Sequence, residues 1–197
     1  TITLSGSYQI ENAMVAVRAV EALSETGFPI SDKAVYQGLA KTVWPGRFQV
    51  LSRKPYFIAD GAHNRDAARR LAESIEFYFT NRRILYIIGM LRDKEQEEVL
   101  RVTCPLAAQI LTVPTKGERG TSSYELACKA GKYHENVTAT DSVEEAVELA
   151  YLLADETAVI IAFGSLSYLG ELVRIVEKSL EDKSSVRGDL HGKQRKG

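Results

Sequence analysis

An α/β fold with a Rossmann-like, mostly parallel sheet and helices on both faces follows from three features of this sequence. Strand-like and helix-like segments alternate over most of the chain from residue 45 to about 181. The segment Ile84–Leu91 is almost continuously apolar, as a parallel strand is when helices cover both of its faces. The segment between Asn64 and Phe79 repeats apolar residues at helical spacing, with Ala68, Leu71, Ala72, Ile75 and Phe79 on one side.

The elements follow in order. Tyr8–Thr26 reads as a helix whose apolar face is Ile10, Ala13, Met14, Val17 and Val20, stopped by Gly27. Ser31 and Asp32 cap a second helix running to about Thr42. Trp44-Pro45-Gly46 then forces a turn and the composition switches, so residues 1–44 form a short helical segment distinct from the α/β domain at 45–181. Phe48–Ser52 and Tyr56–Asp60 read as an antiparallel hairpin at a sheet edge, around Arg53-Lys54-Pro55. Further strands are expected near Gln109–Pro114, Val137–Thr140 and Ala158–Gly164. Helices are expected near Asp93–Cys104, Ser122–Gly131, Ser142–Asp155 and Leu166–Leu180. The tail 182–197 has almost no apolar content and reads as disordered.

Composition narrows the function. The 197 residues carry 25 basic and 26 acidic side chains, a net charge of −1, so no strong field recruits nucleic acid or a membrane surface. No apolar run approaches the ~20 residues that span a bilayer. Cys104 and Cys128 lie in no CxxC or Cys/His cluster and read as inert thiols of a cytoplasmic protein. His63, His134 and His191 lack metal-ligand spacing, so no protein-bound metal is expected. Phosphate-loop GxxxxGK[ST], dinucleotide GxGxxG and nucleophile-elbow GxSxG patterns are missing from the strand–helix turns.

Ligands of open α/β sheets gather at the carboxyl ends of the strands. That rule selects Asp60–Asn64, Gly89–Lys94, Pro114–Thr121 and Gly164–Tyr168. In Asp60-Gly61-Ala62-His63-Asn64 a carboxylate ends a strand, and the following helix start suits an anion. Asp60 is placed to accept ribose hydroxyls and His63 to bind a substrate carboxylate. A plain helix cap by Asn64, with Asp60 and His63 satisfying backbone, accounts for the same residues equally well. Arg47, just beyond the stiff Pro45-Gly46 turn, offers a planar fork for phosphate, or is simply solvated. Ser165, after Gly164, is a carboxylate donor or a cap.

Asp60-Gly61-Ala62-His63-Asn64, together with Gly6-Ser7-Tyr8-Gln9-Ile10-Glu11-Asn12-Ala13, Trp44-Pro45-Gly46-Arg47-Phe48, Gly89-Met90-Leu91-Arg92-Asp93-Lys94 and Ala162-Phe163-Gly164-Ser165-Leu166, resembles the folylpolyglutamate synthase family of the Mur ligase superfamily. The resemblance covers about residues 4 to 180. It implies an ATP- and Mg²⁺-dependent ligase that joins L-glutamate to dihydropteroate or folate through an acyl phosphate. Matched positions make Asn12, Arg47 and Asp60 ATP contacts, and His63 and Ser165 holders of the incoming glutamate. It also implies a monomer, and an upstream ATPase domain carrying the phosphate loop and most of the magnesium site, to which residues 1–44 would belong. On that basis this chain, opening at Thr1, reads as a piece of a longer enzyme and is inactive alone. One position departs from the family pattern: Arg65 stands where proline usually follows Asp-Gly-Ala-His-Asn. A Mur-type peptidoglycan amino-acid ligase is the nearest alternative. A non-catalytic Rossmann-like metabolite-binding module is the other.

Overall fold

The computed structural model describes residues 2–193, with side chains described through residue 182. Two helices lead, α1 (Gln9–Glu25) and α2 (Asp32–Lys41), and the hairpin β1 (Gln49–Arg53) and β2 (Tyr56–Asp60) follows. Then come α3 (Arg65–Tyr78), β3 (Ile84–Ile88), α4 (Gln96–Thr103), β4 (Gln109–Thr112), α5 (Ser123–Ala130), β5 (Val137–Ala139), α6 (Val143–Leu153), β6 (Val159–Phe163) and α7 (Leu166–Lys193). Helix starts follow local chemistry: Ser31, Asn64, Ser122 and Ser142 each accept a backbone N–H of their own first turn.

The strands form one six-stranded sheet in the order β1-β2-β6-β3-β4-β5. Only the β1–β2 pair is antiparallel, with a bulge between Val50 and Ser52. The other four pairings are parallel, as the alternating pattern requires. Side chains alternate across the sheet with the two-residue period of a strand. Ile58, Tyr86, Ile88, Ile161 and Phe163 pack on one face with α3, α4 and α5. Phe57, Leu85, Ile87, Ile160 and Ala162 pack on the other with α6 and α7. The five residues of β3 and the five of β6 are all buried, which is why both segments read as unbroken apolar runs.

Two boundaries and one expected burial differ from what the sequence predicts. β3 ends at Ile88 rather than Leu91, because Gly89 and Met90 already belong to the loop that turns towards α4. α7 continues to Lys193, so helical backbone replaces most of the expected disordered tail; the remainder, 194–197, lies outside the described residues. The expected apolar face of α1 is not buried in this chain. Ile10 and Met14 are 62% and 64% exposed, and the one buried residue of the helix is Gln9.

β6 lies between β2 and β3, and the register aligns Asp60 with Phe163 and Phe163 with Ile88. The three strands therefore end at one level. The loops Asp60–Asn64, Gly164–Tyr168 and Gly89–Lys94 leave from a common edge.

Candidate nucleotide and carboxylate sites at the carboxyl edge

Asp60 is the last residue of β2 and is 3% exposed. Burial raises its pKa above the ordinary carboxylate value, against the opposing effect of the donors around it and the nearby Arg47 guanidinium. Its Oδ2 accepts the Phe48 N–H at 2.8 Å and the Tyr8 hydroxyl at 3.1 Å, and its Oδ1 accepts the Ala62 N–H at 2.8 Å. One carboxylate thus ties together the entry of β1, the turn after β2 and the start of α1.

The neighbouring turn is fixed by backbone. Gly61 N–H donates to the Gly46 carbonyl at 2.7 Å, and Gly46 N–H donates to Gln49 Oε1 at 2.9 Å. Gly46 has a φ of 72° and Phe48 a φ of 45°, a left-handed pair that turns Arg47 towards Asp60. The Phe48 ring is buried among Tyr78 and Phe79, and this packing holds a bulky residue in that conformation.

Between α1, α2 and the end of β2 lies a cavity of about 470 Å³. Asn12, Arg47 and Asp60, the three residues expected to meet ATP, all line it. Tyr8, Gln9, Thr42 and Arg70 add to its polar side; Leu4, Ala13, Leu39 and Trp44 form apolar wall. Asn12 Nδ2 donates to Gln9 Oε1 at 3.0 Å, so the two amides sit as a pair. Tyr8, which the sequence places in a helix without a site role, joins them here. Its signal is the helical spacing: Tyr8 and Asn12 stand one turn apart and share a face.

His63 and Ser165 do not line this cavity. His63 is half-buried, and its Nδ1 lies 2.8 Å from the Gly61 carbonyl. A carbonyl can only accept, so Nδ1 carries the proton and Nε2 is the ring nitrogen left for another partner. Ser165 is 6% exposed; its Oγ accepts the Ser167 N–H at 3.2 Å and contacts Ser167 Oγ at 2.9 Å. It therefore caps the last helix as well as lying at the strand edge. Its loop touches the Asp60 turn: a Cβ placed on Gly61 would lie 3.0 Å from Leu166 Cδ2.

The start of α3 is less open to anions than the sequence suggests. Asn64 Oδ1 accepts the Ala67 N–H at 2.9 Å, and Glu95 Oε2 accepts the Arg65 N–H at 2.9 Å. Two of the free N–H groups of that helix end are already engaged. Among the described residues, no group of three or more His, Cys, Asp or Glu side chains is placed to hold a metal ion. No described helix is long and apolar enough to cross a membrane.

Known proteins are similar to this chain in sequence and in fold. The dihydrofolate synthase/folylpolyglutamate synthase of Escherichia coli (strain K12) is 30% identical over 162 residues, 82% of this chain and 37% of that protein. The Mycobacterium tuberculosis folylpolyglutamate synthase, solved in complex with ADP and AMPPCP, superposes with a TM-score of 0.76 at 25% identity. That match covers 90% of this chain and 40% of the other. The bifunctional folylpolyglutamate synthase/dihydrofolate synthase of Yersinia pestis, solved with AMPPNP and Mn ion, superposes with a TM-score of 0.66 at 30% identity, over 84% of this chain and 38% of that one. This chain thus spans well under half the length of the relatives it matches. The family model of the Mur ligase, glutamate ligase domain matches residues 46–166, from the turn that carries Arg47 to the loop that carries Ser165. With that span taking in more than half of the sequence, the chain belongs to the Mur ligase, glutamate ligase domain family.

Proposed function

We propose that this chain is the carboxy-terminal domain of a cytoplasmic, monomeric ATP-dependent ligase that adds L-glutamate to dihydropteroate, to (tetrahydro)folate, or to both. One observation carries the reading. Asn12, Arg47 and Asp60 come from three separate segments, and all three line one cavity at the sheet's carboxyl edge. The cavity suits a nucleoside: apolar wall for a base, amides to read its edge, a carboxylate for the sugar and Arg47 for phosphate.

In this reading the γ-phosphoryl group passes to a substrate carboxylate oxygen, and ADP leaves. The amine of L-glutamate then attacks the acyl carbon, phosphate leaves, and the nitrogen loses a proton. His63, by the ring edge that its bond to the Gly61 carbonyl leaves free, and the Ser165 hydroxyl would hold the incoming glutamate, orienting its amine. Magnesium would screen the phosphates, held mainly by an upstream ATPase domain, as the family resemblance implies. The exposed Ile10 and Met14 of α1 support residues 1–44 packing against that domain.

The test is MgATP-dependent ligation of glutamate to dihydropteroate and to tetrahydrofolate by the complete ligase carrying this domain. Turnover, and a raised ATP requirement in Asp60→Asn and Arg47→Ala, are expected. Turnover only with a nucleotide-linked peptidoglycan precursor would assign the domain to the alternative ligase class. Tight ATP binding by this chain alone, with no ligation by the complete protein, would make it a binding module instead.

A further inference from the structure

Asp60 has less room for a ligand than its place in the cavity suggests. A carboxylate oxygen offers two lone-pair directions. Those of Oδ2 are taken by the Phe48 N–H and the Tyr8 hydroxyl. Oδ1 accepts the Ala62 N–H and has one direction left. A vicinal diol brings two donors, and Asp60 as it stands can accept only one of them.

The second acceptor is Tyr8. Its hydroxyl gives its one proton to Asp60 Oδ2, which leaves the phenol oxygen's lone pairs without a donor among the described residues. The side chain is half-buried and lines the same cavity as Asp60. Burial and the adjacent carboxylate push the phenol's pKa well above its ordinary value, so the proton stays in place at working pH.

We infer that Tyr8 and Asp60 form a sugar-reading pair: Asp60 Oδ1 accepts one hydroxyl of a ribose and the Tyr8 oxygen accepts the other. Tyr8 is then a specificity-determining residue for ribonucleotides over deoxynucleotides, supplied by the N-cap of α1. The inference rests on the nucleotide reading proposed above. It adds a contact 52 positions from Asp60 in the sequence, delivered by the helical segment and not by the sheet.

The test compares KM for ATP, 2′-deoxyATP and 3′-deoxyATP in the complete ligase, for the wild type, Tyr8→Phe and Asp60→Asn. The wild type should discriminate against both analogues. Tyr8→Phe should raise KM for ATP by about three- to ten-fold, the worth of one hydrogen bond. The same change should leave KM for one analogue, the one lacking the hydroxyl Tyr8 reads, within about two-fold. Discrimination against that analogue alone is then lost. A proportional rise for all three nucleotides would make Tyr8 a structural support, and a fall for all three would make it a competitor for Asp60; either overturns the inference. Failure of the wild type to discriminate does so without any variant. If Asp60→Asn raises KM for ATP while Tyr8→Phe leaves the ratios unchanged, only the Tyr8 role falls. If Asp60→Asn leaves KM for ATP unchanged in a folded enzyme, the nucleotide reading falls with it.

Discussion

Gly164 and Gly89 are in such close approach that a Cβ on Gly164 would lie 2.5 Å from the Gly89 carbonyl oxygen. Gly164 also has a φ of 118°, a conformation that side-chain-bearing residues rarely adopt. The contact joins the ends of β6 and β3, and Tyr168 locks it by directing its hydroxyl to the carbonyls of Ile87 and Phe163 at 2.9 and 2.8 Å. Gly164→Ala should therefore cost on the order of 3 kcal/mol, combining backbone strain with overpacking against main chain. Urea unfolding of this chain checks it; a loss below ~1 kcal/mol would show that the loop relaxes freely.

Arg65 engages Glu95 through its backbone and Glu98 through its side chain, at 2.9 and 3.6 Å. Glu95, at the N-cap of α4, makes no cap bond to its own helix and reaches across to the start of α3 instead. Arg65→Pro removes the N–H but suits the first helical position, so its net effect should lie within about 0.5 kcal/mol. Glu95→Ala should cost about 0.5–1 kcal/mol in the wild type and nothing in the Arg65→Pro background. A double-mutant cycle by chemical denaturation decides; equal costs in both backgrounds would remove the cross-helix cap.

His63→Ala in the complete ligase should raise KM for glutamate by about ten-fold or more, with KM for ATP changed far less, since His63 lies outside the cavity that holds Asp60. Ser165→Ala should move the same constant and also lower stability slightly, because the Ser167 N–H loses its partner. An effect of His63→Ala on ATP alone would reverse the assignment.

The two cysteines differ sharply. Cys104 is buried, and burial pushes its thiol up to about 12, whereas Cys128 is exposed. A thiol reagent such as DTNB should modify one group rapidly in the native chain, and the second only on unfolding. Rapid reaction of both would mean that the α4 end opens readily.

Much of this was legible beforehand, for reasons tied to particular residues. Apolar runs such as Ile84–Ile88 report two-sided burial, and Ser31, Asn64 and Ser142 cap the helices they precede, because periodicity and capping act within a few residues. The α1 face was legible as apolar, but sequence patterning cannot say whether its cover lies in the same chain. The spacing of Tyr8 and Asn12 is legible, but it does not say what the Tyr8 hydroxyl meets; the carboxylate beside it comes from a strand 52 positions away.

The sequence by itself determined the alternation of strands and helices, the edge hairpin, and the polar residues at the strand ends. These are properties of local backbone preference and side-chain period. Only the tertiary structure decided that β6 enters between β2 and β3, bringing the Ser165 loop against the Asp60 turn. It also decided that Tyr8 and Phe48 would occupy Asp60 Oδ2 and that Glu95 would cap α3. Strand order and the partners of a buried carboxylate depend on which distant segments pack together, and no local pattern specifies that.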